Sequence, residues 1–85
     1  MRWELRVARR ARKALEQAPT NDRERLLVAL QAMRDDPLSG DIARLKNQPA
    51  AWRRRVGVWR IFFDLDPHLR VVDVVDIRRR TSTTY

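Results

Sequence analysis

The stretch Trp52-Arg53-Arg54-Arg55-Val56-Gly57-Val58-Trp59-Arg60-Ile61-Phe62-Phe63 constrains the fold more than any other part of the chain. It reads as two strands joined at Gly57-Val58, with arginines where a plain hairpin alternates mild polar residues. Glycine at the first central position suits a two-residue type II′ turn. That turn sets the register: Val56 faces Trp59, and Arg55 faces Arg60. Like charges directly opposite one another are destabilising, so a sheet that keeps this pair offers the position to an anion. Arginine suits phosphate because its planar guanidinium donates two parallel hydrogen bonds and stays charged. Trp59, Ile61, Phe63 and Leu65 share the face expected to be core. Arg53, Arg55, Arg60 and Phe62 share the opposite, more open face.

The charge balance agrees with an anionic partner. The chain has 19 Lys+Arg against 11 Asp+Glu, a formal net charge of +8. Only Lys13 and Lys46 are lysines. Six basic residues and no acid lie between Ile42 and Phe63, and Arg78-Arg79-Arg80 adds a second cluster. Such an excess favours nucleic acid, an acidic protein or an anionic membrane surface. The acids gather elsewhere, at Asp22, Glu24, Asp35 and Asp36 and again at Asp64, Asp66, Asp73 and Asp76. With 85 residues, the chain is expected to form one domain, 1–85, with a thin two-layer core, burying about 60% of its unfolded surface. There is no cysteine, which excludes disulfides and thiolate metal sites. The N-terminus lacks the apolar run of a signal peptide, and no 18-residue apolar segment occurs. A cytoplasmic protein, without membrane association, is expected.

Upstream of the hairpin, Trp3, Leu5 and Val7 alternate with Arg2, Glu4 and Arg6, the pattern of a half-buried strand. Residues 8–18 are strong helix formers, and Pro19 stops that helix. Asn21 with Glu24 resembles a capping box. A second helix over about 22–35 carries Leu26, Leu27, Leu30 and Met33 at helical spacing, and Pro37 ends it. Residues 38–41 and 47–49 read as loops, with Leu45 an apolar anchor between them. Strands are expected at 52–56, 58–65 and 70–77, the last β-branched and interior to the sheet. The expected architecture is α+β: an N-terminal strand, a helical hairpin, then a three-strand antiparallel meander, with the helices packed on one sheet face.

This order of elements resembles the RelE/ParE superfamily of toxins from type II toxin–antitoxin pairs. The residues that carry the resemblance are Asp36-Pro37, Leu45, Trp52 to Val56, Gly57-Val58-Trp59-Arg60-Ile61, Val71 to Ile77, Arg78-Arg79-Arg80 and Tyr85. The resemblance covers almost the whole chain and is closest to the RelE-like branch. It implies a cytoplasmic toxin that cuts mRNA in the ribosomal A site and is neutralised by a cognate antitoxin. By position it implies catalytic roles for Arg55, Arg60, Arg79 or Arg80, and Tyr85, and RNA-binding roles for Lys46, Arg53, Arg54 and Arg78. No metal and no small-molecule cofactor are implied. A ParE-like inhibitor of DNA gyrase with the same fold is the alternative. A further one is an inactive basic module held by an acidic partner.

RNA cleavage without metal requires a proton removed from the 2′-hydroxyl, a stabilised pentacovalent phosphate and a protonated 5′-oxygen. Preorganised cations supply the second requirement. Arg53 and Arg55 stand where some RelE-like members have lysine, and arginine accepts no proton at neutral pH. Tyr85 can exchange a proton or stack on a base. His68 is expected in an exposed turn, and Trp3, Trp52 and Trp59 in the core. The odd spacing of Asp73 and Asp76 puts them on opposite faces of a regular strand, which argues against a metal pair.

Overall fold

The computed structural model describes residues 2–80. Its elements run β1 (Glu4–Val7), α1 (Arg9–Gln17), α2 (Thr20–Asp35), β2 (Asp41–Arg44), β3 (Trp52–Val56), β4 (Trp59–Asp66) and β5 (Val71–Arg79). The five strands form one sheet in the order β1-β5-β4-β3-β2. The β3-β4-β5 meander is antiparallel, and β1 joins β5 in parallel. The two helices cover one face, as the α+β expectation required.

Alternation in the sequence decides what that face buries. Trp59, Ile61 and Phe63 of β4 meet Val72, Val74 and Ile77 of β5 beneath Ala11 of α1 and Leu26, Ala29, Leu30 and Met33 of α2. Trp3 just before β1, Leu5 and Val7 of β1, and Trp52 of β3 are half-buried at the margins. Trp3 and Trp52 are each faced by a guanidinium, Arg70 at 4.9 Å and Arg44 at 5.2 Å from the ring centroid. The narrow sheet cannot cover every apolar residue of α2: Leu27 and Val28 stay exposed.

Three local features depart from the sequence reading. First, Asp41–Arg44 is a strand paired antiparallel with β3, where the sequence reading puts Asp41 in a loop and assigns 42–44 to no element. Its four residues hold one strong strand former, Ile42, so the open backbone edge of β3 and not side-chain propensity makes it a strand. Second, Asn21 and Glu24 form no capping box. Helix α2 starts about two residues earlier, at Thr20 after Pro19, with no side-chain cap. Arg23 instead ties the helical hairpin together, donating to the carbonyls of Leu15 (3.3 Å), Glu16 (2.9 Å) and Ala18 (3.1 Å) at the end of α1. The Leu15 carbonyl also accepts from Ala18 N–H at 3.3 Å, the other two lie past the last helical donors, and a cation suits that end of the helix dipole.

Third, Phe62 pairs with Asp76 while Phe63 pairs with Val74, leaving Val75 as an extra residue in β5. A bulge of this kind shifts side-chain parity by one. Asp73, opposite Asp64, and Asp76, opposite Phe62, therefore lie on the same face and not on opposite faces.

The loop between α2 and β2 is shaped by Gly40, at φ +81°. A Cβ there would sit 2.8 Å from the guanidinium carbon of Arg54. The Arg54 side chain can yield, but the left-handed backbone cannot be adopted cheaply by alanine. Gly40→Ala is expected to cost about 1–2 kcal/mol, lowering Tm by roughly 4–15 °C in a domain of this size. Thermal melting checks this; an unchanged Tm would show that the loop refolds freely around the methyl group.

Candidate nucleic-acid interface

The hairpin adopts the register its sequence specifies. Val56 pairs with Trp59 and Arg55 with Arg60. Gly57 takes φ +58° at the first turn position, and Arg80 N–H closes on Val58 carbonyl oxygen at 2.6 Å. Because directly paired residues project to the same side of a sheet, a row of charges crosses the uncovered face. It runs Asp41 (β2), Arg55 (β3), Arg60 (β4), Arg78 (β5). The next row is Ala43, Arg53, Phe62 and Asp76. Further along β4 and β5 the same face becomes acidic, with Asp64 paired to Asp73 and Arg6 alongside. The cations are thus concentrated at the hairpin end.

Two carboxylates flank the row of arginines. Asp41 Oδ2 lies 3.7 Å from Arg55 Nε. Asp76 Oδ2 accepts from Arg78 Nε at 2.6 Å, and its other oxygen accepts from Ile77 N–H at 2.9 Å. Between them, Arg60 Nε and Arg53 Nη1 are shielded by the surrounding side chains yet have no hydrogen-bond partner among the described residues. Shielded, unsatisfied charged donors are costly in a fold. An anion placed across Arg53, Arg55, Arg60 and Arg78 would satisfy them.

The remaining residues singled out in the sequence divide by strand parity. Arg54 is on the helix-bearing face, opposite Ile61 and Ile42, so it is not part of the open surface. Its guanidinium donates to Ser39 Oγ at 3.2 Å. Burial pushes its pKa down, and Asp36 partly offsets that. Arg79 pairs with Trp59 and takes that same helix-bearing side; it is not in the row. Arg78, expected only to hold RNA, is the arginine that faces Arg60. Arg80 is exposed just beyond the end of β5. Lys46 is exposed on the loop joining β2 to β3. Tyr85 lies outside the described residues. Sequence reasoning passed over Arg10 and weighed Asp76 only as half of a metal pair with Asp73: Arg10 Nη1 stands 3.9 Å from Asp76 Oδ2. Only the bulge brings Asp76 to this face, and Val71 to Ile77 contains no glycine or proline to mark one.

No family model matches this sequence, and no curated protein matches it. Among solved structures the likeness is extensive in shape and low in identity. The archaeal RelE–RelB complex from Pyrococcus horikoshii contains a chain 18% identical, with TM-score 0.84 over 98% of this chain and 100% of that one. The RelBE2 toxin–antitoxin complex of Mycobacterium tuberculosis gives 18% identity and TM-score 0.80, covering 94% and 100%. The isolated RelE toxin of E. coli gives 18% and 0.79, covering 96% and 88%. The protein has the RelE fold.

Proposed function

We propose that this chain is the toxin of a type II toxin–antitoxin pair and acts as a ribosome-dependent mRNA endonuclease. The observation that carries the reading is the Arg55–Arg60–Arg78 row with Arg53 beside it, on the sheet face that the helices leave open. In this reading the scissile phosphate lies across the row. The 2′-oxygen attacks phosphorus as its proton passes to water, the bond from phosphorus to the 5′-oxygen breaks as that oxygen takes a proton from water, and the guanidiniums stabilise the negative charge that accumulates on the non-bridging oxygens. None of these arginines can take the 2′-hydroxyl proton. The row lowers the barrier through charge and alignment, and the ribosome, which holds the message, contributes the rest of the alignment.

The partner is an antitoxin, as in the RelE–RelB complexes of the same fold. Two surfaces suit it: the exposed apolar pair Leu27 and Val28 on α2, which fits an amphipathic helix, and the cationic face, which fits acidic residues. No helix among the described residues is long and apolar enough to cross a membrane.

Expression of the chain alone in a bacterial host is expected to block protein synthesis before DNA synthesis, with mRNA cut at ribosome-bound codons. Pulse labelling with amino acid and thymidine precursors decides it. Early loss of DNA synthesis with intact mRNA would replace this reading with gyrase inhibition. Normal growth would replace it with the inactive binding module.

A further inference from the structure

Beside the arginine row is a cavity of about 60 Å³ lined by Arg10, Gln48, Pro49, Ala50, Phe62, Val75, Asp76 and Arg78. We propose that its mouth seats a second nucleotide of a single-stranded RNA, the base laid over the opening against Phe62 and the phosphate against Arg10, so that the RNA-binding surface extends from the sheet onto helix α1. This deepens the reading of the row as a phosphate site and rests on it.

The cavity is a consequence of the bulge. The extra residue, Val75, bends β5 opposite Phe62 and forms part of the lining. The same parity shift puts Asp76 on the open face as part of the cavity lining, where its side chain is only 8% exposed. A carboxylate so buried must be paired, and the Arg78 Nε contact at 2.6 Å supplies the pair. Engaging Arg78 through Nε leaves its terminal amino groups available, since a guanidinium has five donors. Its guanidinium carbon lies 5.9 Å from the Phe62 ring centroid, so cation and ring form one wall. Arg10 approaches the same carboxylate only loosely, at 3.9 Å, and its side chain is 73% exposed. Two arginines thus share one carboxylate, which leaves excess positive charge at the cavity mouth.

The opposite wall is fixed in place. Ala51 N–H donates to Asp64 Oδ1 at 2.7 Å, and Leu45 N–H to the Ala51 carbonyl at 2.8 Å. These bonds hold the preceding Gln48–Ala50 segment against the sheet, with Ala50 buried. An aromatic surface, a primary amide from Gln48 and unneutralised guanidiniums around one small cavity match a nucleotide. Single-stranded nucleic acid is bound by stacking on aromatic rings and by cations that follow the backbone. Asp76 acts as a positioning residue: it fixes Arg78 between the row and the cavity, so the adjoining phosphate and base are read by one rigid group.

The test uses the purified full chain and a fluorescently labelled hexanucleotide that is 2′-O-methylated throughout and so has no hydroxyl to attack. Affinity is measured against salt concentration for the parent, Arg10→Ala and Phe62→Leu. Arg10→Ala is expected to weaken binding about five- to tenfold and to reduce the magnitude of the log–log salt slope by about 0.7, the share of one phosphate contact on a single strand. Phe62→Leu is expected to weaken binding about tenfold with the slope unchanged, since it removes a stacking face and no charge. Arg10 is largely exposed, so its variant folds; if Phe62→Leu melts far below the parent, Arg10→Ala decides alone. Parent-like affinity and slope for Arg10→Ala overturn the cavity site and leave the row standing. A parent that binds no RNA overturns both. If Arg10→Ala weakens binding of the antitoxin instead, with RNA affinity unchanged, the cavity takes an acidic protein side chain and the proposal fails.

Discussion

Arg60→Ala is expected to slow mRNA cleavage on programmed ribosomes by about 100-fold or more while the protein keeps its fold. Arg60 is the centre of the row, with Arg55 on one side and Arg78 on the other. Its neighbours in sequence, Trp59 and Ile61, are buried in the core, so the backbone under it stays where it is when the side chain is removed. Its Nε has no partner among the described residues, so no hydrogen bond seen there is lost. Removing one preorganised donor to the charge that develops in a transition state typically costs 10²–10³ in rate, or roughly 3–4 kcal/mol. On stability, like charges opposed across a strand pair cost some tenths of a kcal/mol, and the aliphatic stem contributes packing of similar size. The two oppose, so Tm should move by only a few degrees. Arg60→Lys separates charge from shape: it keeps the cation and loses the fork, and should fall between parent and alanine. Parent-rate cleavage by Arg60→Ala would make Arg60 a scaffold residue and remove the row from the chemistry.

The contrast between what could and could not be read in advance has a physical basis. The β3-β4 register was legible because Gly57 can adopt positive φ and the alternation of Trp59, Ile61 and Phe63 admits a single burial pattern; a slip of one residue would bury Arg60. The same logic carried the Arg55–Arg60 pair and the placement of Arg53 and Phe62. What failed were features set by neighbours in space. β2 is a strand because β3 presents an unpaired edge. Arg23 binds the end of α1 because the turn at Ala18-Pro19 brings it back over those carbonyls. The bulge at Val75 is the most consequential case. In a run of Val71-Val72-Asp73-Val74-Val75-Asp76-Ile77 the period-two rule fixes each residue only relative to the last, so one unpaired residue inverts every assignment after it. That inversion puts Asp76 and Arg78 on the open face and Arg79 on the side of Trp59. It is also why Arg78, and neither Arg79 nor Arg80, faces Arg60.

The second large effect is expected in the core. Phe63 is fully buried at the centre of β4, between β3 and β5, where the helices meet the sheet. Phe→Ala in such a position costs about 3–5 kcal/mol, from lost transfer energy and from a void that close-packed neighbours cannot fill. A domain of this length buries only about 60% of its unfolded surface, less than larger domains do, and typical total stabilities are about 5–15 kcal/mol. Phe63→Ala should therefore be marginally folded at 37 °C, with Tm lowered by more than about 15 °C. Its cleavage activity would be lost for a different reason than in Arg60→Ala, and a ligand distinguishes the two. A partner that binds only the native state adds RT ln(1 + [L]/Kd), about 4 kcal/mol at a thousandfold excess over Kd. Co-expression with the antitoxin is expected to restore soluble, folded Phe63→Ala protein, whereas Arg60→Ala needs no such rescue. Circular dichroism melting of both variants, free and in complex, is the measurement. A free Phe63→Ala protein that melts within a few degrees of the parent would mean that the helices collapse onto the sheet to fill the void, and that the packing beneath the arginine row is softer than its buried residues imply.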